Sequence, residues 1–214
     1  MKKLFFALIS CLFFLSFLTS PANAVPVQYT GVYGEIVSIY GTYHNGSVWA
    51  GIYKLTVDGT AVDSFCIDIL QESNKNLLPY DIVPLSNAPQ SPIGPMQEEK
   101  ALAISKLWDK NYNPAMSTSA AAALQVAIWE VLVDGPVGGN INTGDFKSAY
   151  TGAQALLNEL TNWNGTANLF AFSNPSYQDY ATRAPVPEPA TMLLLGAGLI
   201  GLAGFGRKKL FKRA

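Results

Sequence analysis

Two patterns, one after the other, predict an α+β fold for the body of this chain: an antiparallel β-sandwich or barrel with a helical section. Residues 29–69 are rich in Val, Ile, Tyr and Thr and are broken by Asn45-Gly46 and Asp58-Gly59. These are the two-residue turns that join antiparallel strands. Residues 97–163 instead carry apolar residues at helical intervals between start and stop signals. An uncharged apolar run near each end adds an N-terminal signal helix and a C-terminal transmembrane helix.

Taken in order, Lys2 and Lys3 precede an apolar run, Leu4 to Leu18, and Ala22-Asn23-Ala24 offers the small-x-small site of a signal peptidase. Residues 1–24 are therefore expected to be a signal peptide, leaving 25–184 as the extracellular domain. Tyr29 to Tyr43 reads as the first strand, Val48 to Val57 as the second and Ala61 to Ile69 as the third, together an antiparallel meander. Leu77 to Pro95, with Pro79, Pro84, Pro89, Pro92 and Pro95, predicts an irregular connection. A helix is expected over Gln97–Lys110, with Glu98 and Glu99 in its first turn. A second is expected over Ala120–Val133, capped by Ser117, Thr118 or Ser119 and stopped by Gly135-Pro136. A third is predicted over Asp145–Trp163, ended by Asn164-Gly165, after which Leu169–Phe172 returns as a strand. In the last segment, 185–214, the seventeen residues Ala190 to Gly206 hold no charge. That is the short limit for a membrane span, about 17–25 residues. The basic residues that follow, Arg207, Lys208, Lys209, Lys212 and Arg213, hold the end on the cytoplasmic side. The body then faces outward.

The whole chain has a net charge of −1. In residues 25–184, seven basic residues against fourteen acidic ones leave −7, which argues against nucleic acid as a partner. Cys11 falls in the signal peptide, so the mature domain has one cysteine, Cys66, in Phe65-Cys66-Ile67-Asp68. An unpaired cysteine in an exported chain calls for an explanation. Gln125 is the one polar residue in the run from Ala120 to Trp129. A buried amide without hydrogen bonds costs about 1–3 kcal/mol, so a partner should await it. His44, the single histidine, adjoins the first turn. One His and one Cys make no zinc cluster, and neither metal nor cofactor is expected.

Two resemblances follow from these residues. Val186-Pro187-Glu188-Pro189, then an apolar helix and a basic end, resembles the PEP-CTERM sorting signal. The resemblance implies an exosortase as processing partner, a transient hold in the inner membrane through the C-terminal helix, and release to the outer surface or the extracellular matrix. Phe65-Cys66-Ile67-Asp68 with Gln125-Val126-Ala127-Ile128-Trp129 resembles the Cys-Gln thioester domains of bacterial surface adhesins, with Leu124 where that family often has Thr. That resemblance implies a thioester between Cys66 and Gln125, with Phe65 and Trp129 as possible shields. It also implies covalent attachment, once per molecule, to amine or hydroxyl groups of a surface or matrix target. Such a protein is an adhesin of the biofilm or cell surface and not a turnover enzyme. Two other readings stay open at this stage. One is a passive structural or carbohydrate-binding matrix component in which Cys66 is inert. The other is a cysteine hydrolase pairing Cys66 with His44. The thioester reading carries a geometric demand: Cys66 Sγ should lie within about 4 Å of the Gln125 amide.

Overall fold

The computed structural model describes residues 24–89, 94–136 and 139–183. The expected signal helix, the transmembrane helix and Pro187-Glu188-Pro189 lie outside the described residues. Within them no helix is long and apolar enough to cross a membrane. The fold is α+β. Strands β1 (Val25–Gly41), β2 (Gly46–Val57), β3 (Thr60–Cys66), β4 (Leu77–Pro84), β5 (Phe146–Ser148), β6 (Leu169–Asn174) and β7 (Tyr177–Arg183) form one antiparallel sheet in the order β2-β3-β7-β6-β4-β1-β5. Because β2 also pairs with β1, the hydrogen-bonded neighbours run in a ring and return to their start. The long β1 permits this: residues 25–28 pair with β4, 27–39 with β2 and 39–41 with β5.

The local chemistry explains most boundaries. At the tight turn between β2 and β3, Asp58 and Gly59 take φ of 48° and 78°, so both central residues are left-handed. This is the geometry that matches strand twist in a two-residue hairpin. Asn45 closes the first hairpin: its Nδ2 donates to the Gly41 carbonyl at 2.9 Å and its Oδ1 accepts from the Gly41 N–H at 3.3 Å. Where the two long strands cross most closely, Gly34 faces Gly51. A Cβ on Gly34 would stand 1.9 Å from the Ala50 carbonyl oxygen, so no side chain fits there.

Three helices, α1 (Gln97–Asn111), α2 (Thr118–Asp134) and α3 (Gly152–Glu159), complete the described fold. Ser117 caps α2, accepting from the Ala120 N–H at 3.2 Å. Every residue of α2 from Ala121 to Leu132 is buried, since the helix packs against β1 and β2 as well as α1 and α3. Its all-round apolarity fits that central place.

Three expectations need correction. The Pro-rich connection begins as strand β4. Pro79 is tolerated because it lies opposite Pro26 of β1, before β4 starts pairing with β6 at Asp81, so no ladder bond lacks its donor. The single helix over Asp145–Trp163 is instead β5, then α3, then a 3₁₀ turn at Leu160–Asn162. The Asp134 carboxylate captures the N–H groups of Asp145 and Phe146, each at 2.9 Å, and β1 takes residues 146–148, so the backbone there cannot turn helical. Finally, the sheet contains β7, a strand the sequence pattern did not suggest.

Candidate functional site

Cys66 is the last residue of β3, and its position follows from how β2 leaves that strand. The last β2–β3 pair is Tyr53 with Ser64. On the other edge β3 stays paired with β7, where Cys66 faces Tyr180 and the Ile67 N–H donates to the Asp179 carbonyl at 3.0 Å. Cys66 therefore has backbone groups pointing at a vacated strand position, in a place with no solvent: its exposure is 0%. The Gln125 side chain fills that position. The Cys66 N–H donates to Gln125 Oε1 at 2.9 Å, and Gln125 Nε2 donates to the Cys66 carbonyl at 2.8 Å. A side-chain amide thus substitutes for the peptide group of a missing neighbour strand, and Gln125, itself 0% exposed, has both its ends satisfied.

The sulfur has other partners. Gln178 Nε2, from β7, donates to Cys66 Sγ at 2.6 Å, and Trp129 Nε1 donates to it at 3.4 Å. The thiol in turn donates to the Asp68 carbonyl at 3.1 Å. Cys66 and Gln125, 59 positions apart, do meet, through the Cys66 backbone, and the amide hydrogen-bonded to the sulfur belongs to Gln178. Gln178 is also held firmly. Its N–H donates to the Glu72 carbonyl at 3.2 Å, its carbonyl accepts from the Tyr80 hydroxyl at 3.3 Å, and its Nε2 reaches the Asp68 carbonyl at 3.3 Å. Its Oε1 accepts from the Ser73 hydroxyl, which accepts from the Tyr180 hydroxyl at 3.0 Å.

Burial raises both titratable groups of the site. Burial pushes the Cys66 thiol up to about 12, against the donor bond from Trp129, so the sulfur is protonated at physiological pH. Burial likewise pushes Asp68 up to about 6, opposed by the Leu70 and Gln71 N–H groups on its Oδ1. Asp68 Oδ2 is buried and has no hydrogen-bond partner among the described residues.

The remaining sequence candidates divide. Trp129 lies at the sulfur as expected. Phe65 is fully buried, but successive strand residues point to opposite faces, and its ring meets Trp108 edge-on at 5.0 Å in the α1 cluster. His44 is not among the sulfur's hydrogen-bond partners. It stands at a cavity of about 480 Å³ with the exposed Trp49 and Glu72, above buried Trp129 and Gln178. Trp129 and Gln178, which donate to the sulfur, line that cavity, and Cys66 itself does not. Sequence reasoning missed Gln178, Ser73 and Tyr180. The one signal for Gln178 was its place in Tyr177-Gln178-Asp179-Tyr180, a polar pair between two tyrosines, in a segment whose strand character was itself overlooked.

Residues 185–208 match the family described as the PEP-CTERM protein-sorting motif. The motif marks an exported protein processed by an exosortase and bound for the cell surface or the extracellular space. No curated protein matches the chain significantly. Among solved structures the chain is similar to the thioester domain of the Staphylococcus aureus TIE protein, at 15% identity over 76% of this chain and 78% of that one, with a TM-score of 0.37.

Proposed function

We propose that this exported protein forms an internal thioester at Cys66 and uses it to attach itself, once per molecule, to an amine or hydroxyl group of a surface or matrix partner. The acyl partner in this reading is Gln178 and not Gln125. One observation carries it: the Gln178 amide nitrogen, one bond from the carbon to be attacked, lies 2.6 Å from Cys66 Sγ inside a site closed to water. Holding two reactants in such an arrangement raises their effective concentration by orders of magnitude. Gln125 acts as the clamp that fixes the Cys66 backbone.

The atoms balance simply. Sγ bonds to Cδ of Gln178, the Cδ–Nε2 bond breaks, and the nitrogen leaves as ammonia with the thiol proton. The product is buried, which protects it from hydrolysis. A partner nucleophile entering through the His44–Trp49 cavity then takes the acyl group, giving an amide or ester, and Cys66 returns to a thiol. No cofactor or metal enters this scheme.

Intact mass spectrometry of the folded protein tests it, since the thioester form lacks the mass of one ammonia. Methylamine should restore mass, place an N-methyl amide on Gln178 and free the Cys66 thiol, and Cys66→Ala should abolish uptake. A label on Gln125 instead would restore the pairing expected from the sequence. No mass deficit and no uptake would leave a passive matrix component with an inert cysteine.

A further inference from the structure

The thiol at this site is a poor nucleophile. Burial keeps it protonated, and no histidine is bonded to it. Activation must then come from the electrophile. We infer that Ser73 is a catalytic hydrogen-bond donor for the acyl group of Gln178, with Tyr180 positioning and polarising it from behind. The inference rests on the thioester reading above and adds to it the group that stabilises the developing charge.

The geometry has the required direction. The Ser73 hydroxyl donates to Gln178 Oε1, the atom that receives the carbonyl electron pair when Sγ attacks Cδ. A donor aimed at that oxygen stabilises the tetrahedral intermediate more than the planar amide, which is the condition for catalysis. Ser73 is free to donate because its own acceptor position is occupied by the Tyr180 hydroxyl at 3.0 Å. In a chain of this kind each bond polarises the next. Tyr180 is fully buried, and burial pushes its phenol well above the ordinary value, so it remains a donor at every physiological pH. The proton inventory does not change: Ser73 and Tyr180 keep their protons, and the thiol proton leaves with ammonia. When an external amine later attacks the thioester, the same oxygen becomes an oxyanion again, and the same two hydroxyls serve the transfer step.

Ser73 belongs to the loop between β3 and β4, while Tyr180 and Gln178 belong to β7. Tyr180 faces Cys66 in the ladder, so one pair of strands fixes the sulfur, the acyl group and Tyr180, and the loop brings Ser73 to them.

The test uses the full chain and reads methylamine uptake over time by intact mass, alongside an unfolding curve for each variant. Removing one oxyanion donor is expected to slow uptake by about 100- to 1,000-fold in Ser73→Ala. Ser73→Thr, which keeps the hydroxyl, should restore most of the rate. Tyr180→Phe should slow uptake by about tenfold, the order expected of one hydrogen bond. In the double variant Tyr180→Phe should add nothing to Ser73→Ala, because the relay acts through Ser73. A parent protein with a mass deficit whose Ser73→Ala form reacts at the parental rate overturns the relay and leaves the thioester standing. A parent protein with neither deficit nor uptake overturns both. Should Ser73→Ala fail to fold, Tyr180→Phe and Ser73→Thr carry the test, and equal rates in parent and Tyr180→Phe overturn the positioning role.

Discussion

Replacing Gln125 by Leu tests whether its amide serves as a stand-in strand. The substitution keeps bulk and apolarity but removes the acceptor for the Cys66 N–H, now at 2.9 Å, and the donor for the Cys66 carbonyl, now at 2.8 Å. Both backbone groups sit where no water reaches, at a residue of 0% exposure. Each orphaned group costs about 1–3 kcal/mol, so the pair predicts a loss of about 2–6 kcal/mol. That is a large share of a domain stability of about 5–15 kcal/mol. The measurement is urea unfolding in a Cys66→Ala background, which removes any covalent link while keeping the backbone groups. With a denaturant slope of about 2 kcal/mol per molar, the midpoint should fall by roughly 1–3 M. Gln125→Glu sharpens the test. Protonated, it keeps one acceptor and one donor, and burial disfavours its ionised form. Its stability should therefore be greatest in acid and fall as pH rises above the unfolded carboxyl value of about 4.3. A Leu variant whose midpoint stays within about 0.3 M of the background would refute the clamp.

Other outcomes follow from the same structure. In a Gln178→Ala variant Cys66 stays a thiol, and iodoacetamide should label it slowly in the folded protein up to pH 9 and rapidly once unfolded. The stability of that variant should fall between about pH 9 and 12, where the unfolded thiol ionises and the folded one does not. Glu130 is pushed up to about 7, chiefly by burial and also by the Asp134 charge, and its Oε2 has no partner among the described residues. Stability should thus decline from about pH 4.5 to 7 as the unfolded state ionises first, and Glu130→Gln, measured by thermal melting, should remove that part of the slope and raise stability at pH 7. Glu188→Ala in the sorting motif should leave uncleaved precursor in the membrane fraction on an immunoblot, with normal release counting against exosortase processing at residues 185–208.

The parts of the fold that local chemistry controls were readable in the sequence. Asp58-Gly59 fixed a turn by its left-handed φ values, Ser117 was among the foreseen caps, and the apolar run of α2 announced a buried helix. The parts that long-range pairing controls were hidden. Pro79 argues against a strand until Pro26 is placed opposite it, and helical periodicity after Asp145 gives no hint that Asp134 and β1 will claim that backbone. The site shows the same divide. Cys66 stood out as a solitary cysteine and Gln125 as a polar residue in an apolar helix, and both are at the site. Their division of labour was not legible, because one glutamine meets the Cys66 backbone and another meets its sulfur only after β7 has been laid beside β3.

The place of Gln178 in the chain has a mechanical meaning. If the partner becomes bonded to its side chain, the grip on that partner lies on β7, five residues before Arg183, beyond which the chain runs on into the sorting segment at 185. A pull between the partner and whatever holds the protein beyond that point travels along residues 178–184 alone. That segment is β7, hydrogen-bonded to β3 on one edge and β6 on the other, so the load falls first on those two ladders, while β1, β2, β4, β5 and the helices are not in series with it.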